Sequence, residues 1–151
     1  CEDVVALGRA PYTNWIGRMQ EADRAVVERS LRLVGMSAFA RKTMDRMSDG
    51  ECQRVMIARA LAQDTPVILL DEPLTSFDVV VALEIKQLIR EISAEHIIIF
   101  STHILQLATD LCDEIVILSD GTLEQLDHAM LESGNFEAQI IEKLKDEDAH
   151  E

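Results

Sequence analysis

The chain has 151 residues, of which 48% are apolar and 28% are charged, and this composition excludes an intrinsically disordered protein. No stretch approaches the roughly 18 consecutive apolar residues of a membrane-spanning helix, and the initial CEDVVALGRAPY lacks the basic and apolar regions of a secretory signal. The formal net charge of −14 opposes binding to a nucleic-acid backbone, which requires a basic face.

The first 63 residues are predicted to be mostly helical. Residues 8–17 hold Gly, Pro and Asn close together and are typical of a loop, while residues 4–7 are the only candidate strand of this segment. Apolar residues at helical spacing, a stop at Gly35 and a run of good helix formers define the helices. Three are predicted, at residues 20–34, 37–44 and about 51–63.

The pattern changes after residue 63. Two apolar runs, PVILLDEP and HIIIFSTH, are typical of strands buried on both faces, and an amphipathic helix is predicted between them at 81–92. A short helix at 104–112, two strands around an Asp120–Gly121 turn and an acidic helix from about Asn135 follow.

This alternation of strands and helices predicts an α/β fold with a parallel sheet covered by helices. We divide the chain into a helical subdomain at 1–63, part of an α/β core at 64–134 and an acidic C-terminal helix and tail at 135–151. The cysteines Cys1, Cys52 and Cys112 form no CxxC pair, which argues against zinc binding and favours a reducing compartment.

The acidic pair Asp71–Glu72 stands at the carboxyl end of the first predicted strand, the edge where open α/β sheets bind ligands. Adjacent residues there point in different directions. One carboxylate can hold a magnesium ion while the other orients or deprotonates an attacking water. His103 ends the second predicted strand and could reach a terminal phosphate over the same edge. Taken alone, each residue also has a purely structural interpretation.

The segment MSDGE at 47–51 opens the third predicted helix. Ser48 or Asp49 suits the N-cap position, and helix N-termini attract phosphate because free N–H groups and the helix dipole both favour an anion. An ordinary capping motif is the simpler explanation when the segment is taken alone.

The order and spacing of these segments resemble the ATP-binding subunits of ABC transporters. MSDGE resembles the LSGGQ signature, followed by QRVMIARALAQ as its helix, and VILLDE resembles the Walker B strand with its catalytic glutamate. LTSFD at 74–78 resembles the D-loop, and STH at 101–103 resembles the switch-histidine segment. Four motifs occur in the family's order over about 60 residues. The implied fold is a helical subdomain plus the later part of a P-loop-type parallel sheet.

The resemblance implies catalytic and metal-binding roles at the strand ends. Asp71 would bind magnesium through water, Glu72 would polarise the hydrolytic water, and His103 would contact the γ-phosphate of ATP. The implied cofactors are therefore ATP and Mg²⁺, and the implied activity is that of an ATPase.

The resemblance also implies nucleotide contacts across a dimer, because two subunits of this family sandwich ATP head to tail. Ser48 and Gly50, with Asp49 and Glu51 in the same motif, would contact the nucleotide held by the partner subunit, and Asp78 would help to join the two sites. Asp49 replaces a glycine of the family motif and places a carboxylate near an anionic ligand. Glu51 replaces a glutamine, and LTSFD departs from the usual TSxLD.

The sequence holds no G-x-x-x-x-G-K-[ST] phosphate loop, whose amides and lysine cradle phosphates. No two of the six glycines are five residues apart. In the family this loop lies upstream of the position that matches Cys1. We therefore expect a carboxyl-terminal portion of a nucleotide-binding domain, which by itself neither binds nor hydrolyses ATP with normal strength. In the family, the Walker A strand lies between the two strands that match those predicted here. Without it, the two predicted strands either pair directly or leave two exposed edges.

The segment VVALGRAPYTNW resembles a stretch of the ATPases that serve importers of iron siderophores, haem or vitamin B12. Import of iron chelates is the implied function, with residues 9–15 either near a permease contact or in a plain surface loop. The implied partners are a second nucleotide-binding subunit, transmembrane permease subunits and, indirectly, a substrate-binding protein, at the cytoplasmic face of the membrane.

Two alternatives belong to other functional classes. An ABC ATPase of the DNA-repair or chromosome type is disfavoured by the acidic charge and by the lack of sustained heptads before residue 47. A non-catalytic interaction domain agrees with the missing phosphate loop, but it leaves the set Asp71, Glu72 and His103 without a reason.

Overall fold

The structure is a computed structural model and describes residues 1–13, 18–73, 79–119 and 121–126. The helices in these ranges are α1 (Glu2–Ala6), α2 (Glu21–Leu33), α3 (Asp49–Leu61), α4 (Val79–Ser93) and α5 (Leu105–Leu111). The strands are β1 (Val67–Leu70), β2 (Ile97–Phe100), β3 (Val116–Ser119) and β4 (Thr122–Gln125). The chain forms two compact units, Cys1–Ser101 and Thr102–Glu151.

Helices α1, α2 and α3 pack together in the first unit. Their shared core contains fully or almost fully buried apolar side chains: Val5, Val27, Leu31, Val55 and Ile57. Helix α2 ends before Gly35, whose φ of +72° lies in the left-handed region that glycine adopts without steric cost. The sequence predictions for α2, its stop and α3 are confirmed within two residues.

Three predictions for the helical segment were wrong in detail. Residues 4–7 do not form a strand, because Val5 is drawn into the helical core as part of α1. Residues 8–12 of the predicted loop belong to a 3₁₀ helix, Leu7–Tyr12. The helix predicted at 37–44 is reduced to two 3₁₀ turns, Ser37–Phe39 and Met44–Arg46.

Strands β1 and β2 pair in parallel, with Val67 opposite Ile97 and Leu70 opposite Phe100. The two strands therefore pair directly, the first of the two arrangements expected without a strand between them. Helix α4 connects them and packs on β2, which is the strand–helix–strand unit that the alternation predicts. Both strands end at the same edge, next to Asp71 and Ser101.

The prediction that these strands are buried on both faces was wrong. In β1, Ile68 and Leu70 are buried, whereas Leu69 is 74% exposed. In β2, Ile97 is 63% exposed. Helix α4 contacts β2, whereas α3 contacts β1. The apolar stripe of α4 includes the buried Ile85, Leu88, Ile89 and Ile92. An apolar composition alone does not state how many faces of a strand are covered.

The second unit contains α5 and an antiparallel hairpin of β3 and β4, with Val116 opposite Gln125 and Ser119 opposite Thr122. Gly121 in the turn has a φ of +75°, a value that suits glycine in hairpin turns. Leu126 is buried against partly buried apolar side chains: Leu105, Ile115 and Ile117. The predicted short helix and pair of strands are confirmed, and Asp120 lies outside the described residues.

Two other predictions lie outside the described residues, namely the D-loop residue Asp78 and the acidic helix from about Asn135. Within the described ranges, no helix has the length and apolar character that a membrane crossing requires. The mixed α/β class predicted from the sequence is confirmed.

Candidate functional site

The acidic pair Asp71–Glu72 directly follows β1. Glu72 has a φ of +42°, a left-handed conformation that is uncommon for residues other than glycine. Pro73 follows and has no N–H to donate to a neighbouring strand. The strand therefore ends in a sharp turn at its carboxyl edge. Asp71 and Glu72 are both exposed at that edge.

Ser101 connects this turn to the end of β2. Its backbone N–H donates to the carbonyl oxygen of Leu70 at 3.1 Å, and its hydroxyl donates to Oδ1 of Asp71 at 2.5 Å. The same hydroxyl oxygen accepts the backbone N–H of Glu72 at 3.1 Å. Sequence reasoning named Ser101 only as part of the STH segment. A serine at the end of a strand predicted to run parallel to one ending in Asp-Glu was the signal that could have identified it.

The residues at this edge fit a magnesium ion bound through few protein ligands. Mg²⁺ prefers oxygen ligands, keeps several waters and commonly uses one or two carboxylates together with substrate phosphates. Asp71 supplies an exposed carboxylate of the correct type. In the described part of the chain, no group of three or more His, Cys, Asp or Glu side chains is arranged to enclose a metal. One carboxylate of this kind suits an ion whose other ligands are waters and substrate phosphates.

His103 belongs to the second unit, whereas Asp71 and Glu72 belong to the first. It is exposed two residues before α5 begins at Leu105. The neighbouring Thr102 hydroxyl accepts the backbone N–H of Ile104 at 3.1 Å. This bond fixes the backbone that follows His103.

The segment 47–51 forms an N-terminal cap on α3. The Ser48 hydroxyl accepts the backbone N–H of Glu51 at 3.3 Å, and Oε2 of Glu51 accepts the backbone N–H of Ser48 at 2.9 Å. This reciprocal pair is a capping box, so Ser48 rather than Asp49 is the N-cap. The predicted capping motif is confirmed.

Electrostatics at this cap centre on Glu51. The backbone N–H of Ser48, and after it the ammonium group of Lys42, hold the pKa of Glu51 below its ordinary value of 4.5. Lys42 Nζ lies 3.1 Å from Oε2 of Glu51. Asp49 is exposed in the first turn of α3. Two carboxylates therefore stand where a phosphate would approach, and only that of Glu51 is shown with a cationic partner.

Gly50 has a packing role that is independent of any ligand. It is buried, and a Cβ atom at this position would lie 2.5 Å from Cγ1 of Val81 on α4. Arg54, one turn further along α3, pairs with Glu84 of α4. The signature-like segment is thereby connected to the helix that follows residues 74–78.

The GRAPY segment forms an internal contact instead of a surface loop at Arg9. Arg9 is 8% exposed. Its Nε and Nη2 both lie 3.0 Å from Oδ1 of Asp23 on α2, and its Nη1 donates to the carbonyl oxygen of Ala62 at 3.1 Å. The Tyr12 ring lies 3.9 Å from the guanidinium carbon, and the Tyr12 hydroxyl donates to the carbonyl oxygen of Gln63 at 2.8 Å.

These contacts satisfy the carbonyl groups of Ala62, the C-cap of α3, and of Gln63 directly after it; a helix end leaves such carbonyl groups without partners inside the helix. The backbone N–H of Gln20, and to a smaller degree Arg9, lower the pKa of Asp23 from its ordinary value of 3.8, although burial acts in the opposite direction. The expectation that Arg9 lies in a surface loop was therefore wrong, because its charge is paired inside the helical packing. Residues 14–17 of the same stretch lie outside the described residues.

Comparisons with known proteins identify the family. The ABC transporter family model matches residues 5–75. The achromobactin transport ATP-binding protein of Dickeya dadantii is 38% identical over 150 residues, which cover 93% of this chain and 56% of that protein. The petrobactin import ATP-binding protein FpuD of Bacillus anthracis is 38% identical over 119 residues, covering 78% of this chain and 44% of that protein.

Solved structures agree with this assignment. An inward-facing structure described as a metal-chelate type ABC transporter has a TM-score of 0.83 at 21% identity, covering 93% of this chain and 57% of that one. A dimeric ATP-binding cassette in a post-hydrolysis state with ADP and Pi has a TM-score of 0.64 at 28% identity, covering 83% of this chain and 56% of that one. The chain thus spans between 44% and 57% of the length of these four proteins. It belongs to the ATP-binding proteins of the ABC transporter family.

Proposed function

We propose that the chain contributes the Walker B and signature portions of an ATPase that drives transport across a membrane. The observation that carries this proposal is the turn after β1, where Asp71 and Glu72 are presented at the carboxyl edge of a parallel strand pair in a member of the ABC transporter family. This is the edge at which α/β sheets bind their ligands.

In the proposed reaction, the two acids have different roles. Asp71 holds a magnesium ion through water, and Glu72 orients the water that attacks the γ-phosphate. Magnesium, when bound, neutralises charge on the phosphate oxygens. His103 contacts the γ-phosphate from the segment before α5.

The signature-like cap of α3 is proposed to face a nucleotide held by a second subunit. Ser48 and Gly50 supply the contacts, Asp78 helps to join the two sites, and the first turn of α3 directs its N–H groups and positive dipole end towards the phosphate. The carboxylate of Asp49 opposes this attraction, so affinity across the dimer is expected to be lower than with glycine at this position. The dimeric relative with ADP and Pi supports a two-subunit arrangement.

Import of iron chelates is the proposed transport function. The names of two relatives support it, since one serves achromobactin transport and the other petrobactin import. The proposed partners are therefore a second ATP-binding subunit and membrane permease subunits, with a substrate-binding protein acting indirectly, and the proposed location is the cytoplasmic face of the membrane.

The phosphate loop of the proposed site is absent from the 151 residues, so we propose that it is supplied by polypeptide beyond them. Binding of a fluorescent ATP analogue, measured with and without Mg²⁺, tests this point first. The chain alone is expected to show no binding up to millimolar analogue. Tight, magnesium-dependent binding would mean that the chain holds a phosphate cradle of its own.

A fusion tests the activity itself. The chain is joined to the portion of the Dickeya dadantii relative that the alignment leaves unmatched, and phosphate release is followed. Hydrolysis is expected in the fusion, with loss of about 10²-fold or more in Glu72→Gln, since positioned bases contribute about 10²–10⁴-fold. Ser93→Ala is the control. A folded fusion that never hydrolyses ATP, or one that does so equally well with Glu72→Gln, would refute the proposed role.

A further inference from the structure

We propose that Ser101 is a positioning residue, whose hydroxyl fixes one carboxylate oxygen of Asp71 and the backbone of Glu72 and thereby orients both acids for a divalent cation and an attacking water. This inference rests on the proposed function of the two acids. It adds Ser101, which directly follows β2 and has no role in that function.

The first argument is the bonding of the hydroxyl. A serine hydroxyl has one hydrogen to donate and lone pairs to accept. Here the hydrogen is directed to Oδ1 of Asp71 at 2.5 Å, and the oxygen accepts the N–H of Glu72 at 3.1 Å. Together with the bond from its own N–H to the Leu70 carbonyl oxygen, Ser101 bonds to three consecutive residues, namely the last residue of β1 and the two acids after it. Its hydroxyl therefore holds the end of β2 in a fixed position relative to both acids.

The second argument is the backbone of Glu72. A φ of +42° is unfavourable for a residue with a Cβ, and such conformations persist when the surroundings fix them. The following Pro73 further restricts the preceding residue. The bond from the Glu72 N–H to Ser101 is a contact that favours this turn over its extended alternative. The direction in which the Glu72 side chain leaves the sheet therefore depends on Ser101.

The third argument concerns Asp71. Ligands of metals are commonly oriented by hydrogen bonds from residues that do not touch the metal, and loss of such a partner costs about 10–100-fold in metal affinity or activity. Because Oδ1 of Asp71 accepts the bond from Ser101, Oδ2 is the oxygen that would contact magnesium-bound water. The hydroxyl thus selects which carboxylate oxygen faces the ion.

The fourth argument separates positioning from stability. Ser101, Asp71 and Glu72 are all exposed, and hydrogen bonds that exchange with water contribute little net free energy of folding, about 0.5–1.5 kcal/mol each. Removing the hydroxyl is therefore expected to leave the fold intact. Its effect should appear in cation binding and in turnover.

Mn²⁺ titration of the ¹⁵N-labelled chain, without nucleotide, is the test. Paramagnetic broadening of the backbone amides of residues 71, 72 and 101 reports a cation at this edge. Ser101→Ala is expected to raise the Mn²⁺ concentration at half-maximal broadening about 10-fold and to speed hydrogen exchange of the Glu72 amide. Ser101→Thr retains the hydroxyl and should stay within about twofold of the wild type.

Ser93→Ala is the matched control, because Ser93 is an exposed serine whose hydroxyl bonds only the local Arg90 carbonyl oxygen at 2.9 Å. Unchanged broadening in Ser101→Ala, or no selective broadening at residues 71, 72 and 101 in the wild type, would overturn the inference. In the fusion that tests the proposed function, Ser101→Ala should lower kcat about 10-fold with KM for ATP unchanged. A wild-type fusion that is inactive, combined with Ser101-dependent Mn²⁺ binding, would refute the ATPase proposal and leave the positioning role standing.

Discussion

Gly8 is the position where a single added methyl group is predicted to disturb the helical unit most directly. A Cβ atom there would lie 2.3 Å from the carbonyl oxygen of Arg59 and 3.0 Å from Cβ of Ala62. Real Cβ atoms essentially never approach other heavy atoms within 3.0 Å. The 3₁₀ segment Leu7–Tyr12 must therefore move away from α3 by at least about 0.7 Å, the difference between 3.0 and 2.3 Å.

The cost of Gly8→Ala follows from two effects. Overpacking against backbone costs about 1–3 kcal/mol. Displacement of the segment also stretches the bonds of Arg9 and Tyr12 to the carbonyl groups of Ala62 and Gln63, now 3.1 and 2.8 Å. A hydrogen bond from a charged donor contributes about 1.5–3 kcal/mol. Partial loss of these terms gives a decrease in the free energy of unfolding of about 3 kcal/mol. For a chain of this length, that corresponds to a Tm lower by about 6–12 °C.

Thermal unfolding followed by circular dichroism at 222 nm measures this shift. Ala10→Ser is the matched control, because Ala10 is exposed in the same segment and surface substitutions usually stay within about 0.5 kcal/mol. A Tm for Gly8→Ala within about 2 °C of the wild type would show that the close approach to α3 is not a constraint on this fold.

The remaining predictions concern α3 and the core. Gly50→Ala should destabilise the wild type by about 1–3 kcal/mol through its contact with Val81. In a Val81→Ala background the same change should be neutral or stabilising, since alanine is the better helix former by about 1 kcal/mol. Urea unfolding of the wild type, the two single variants and the double variant measures this, and additive effects of the two substitutions would refute the contact. The folded-state pKa of Glu51 lies below 4.5, so the stability that the ionised carboxylate contributes is present above pH 4.5 and is lost as pH falls through the folded-state pKa. The Tm difference between wild type and Glu51→Gln should therefore shrink from pH 7 to pH 3. A constant difference would contradict the capping role of Glu51. Ile57→Ala removes a side chain with 0% exposure and should lower the free energy of unfolding by about 2–5 kcal/mol. Leu69→Ala, at a side chain 74% exposed, should lower it by about 0.5 kcal/mol or less. Equal denaturant midpoints for the two variants would refute the assignment of the core.

The amino-acid sequence by itself determined the features that depend on local chemistry. The stop of α2 at Gly35 follows from the freedom of glycine at positive φ, and the start of α3 follows from a Ser48–Glu51 pair at capping-box spacing. The hairpin around Gly121 and the acid pair after β1 could also be predicted, because both are features of a short local stretch of sequence. The family could be recognised because its motifs are local segments in a fixed order.

Only the tertiary structure decided what depends on distant partners. Residues 4–7 have the apolar character of a strand, but packing against α2 and α3 favours a helix. The number of covered faces of β1 depends on where helices such as α3 lie, so an apolar run did not reveal that Leu69 is exposed. The joining of Ser101 to Asp71 and Glu72 across about 30 positions of sequence arises from strand register, because parallel pairing brings the two carboxyl ends to one edge.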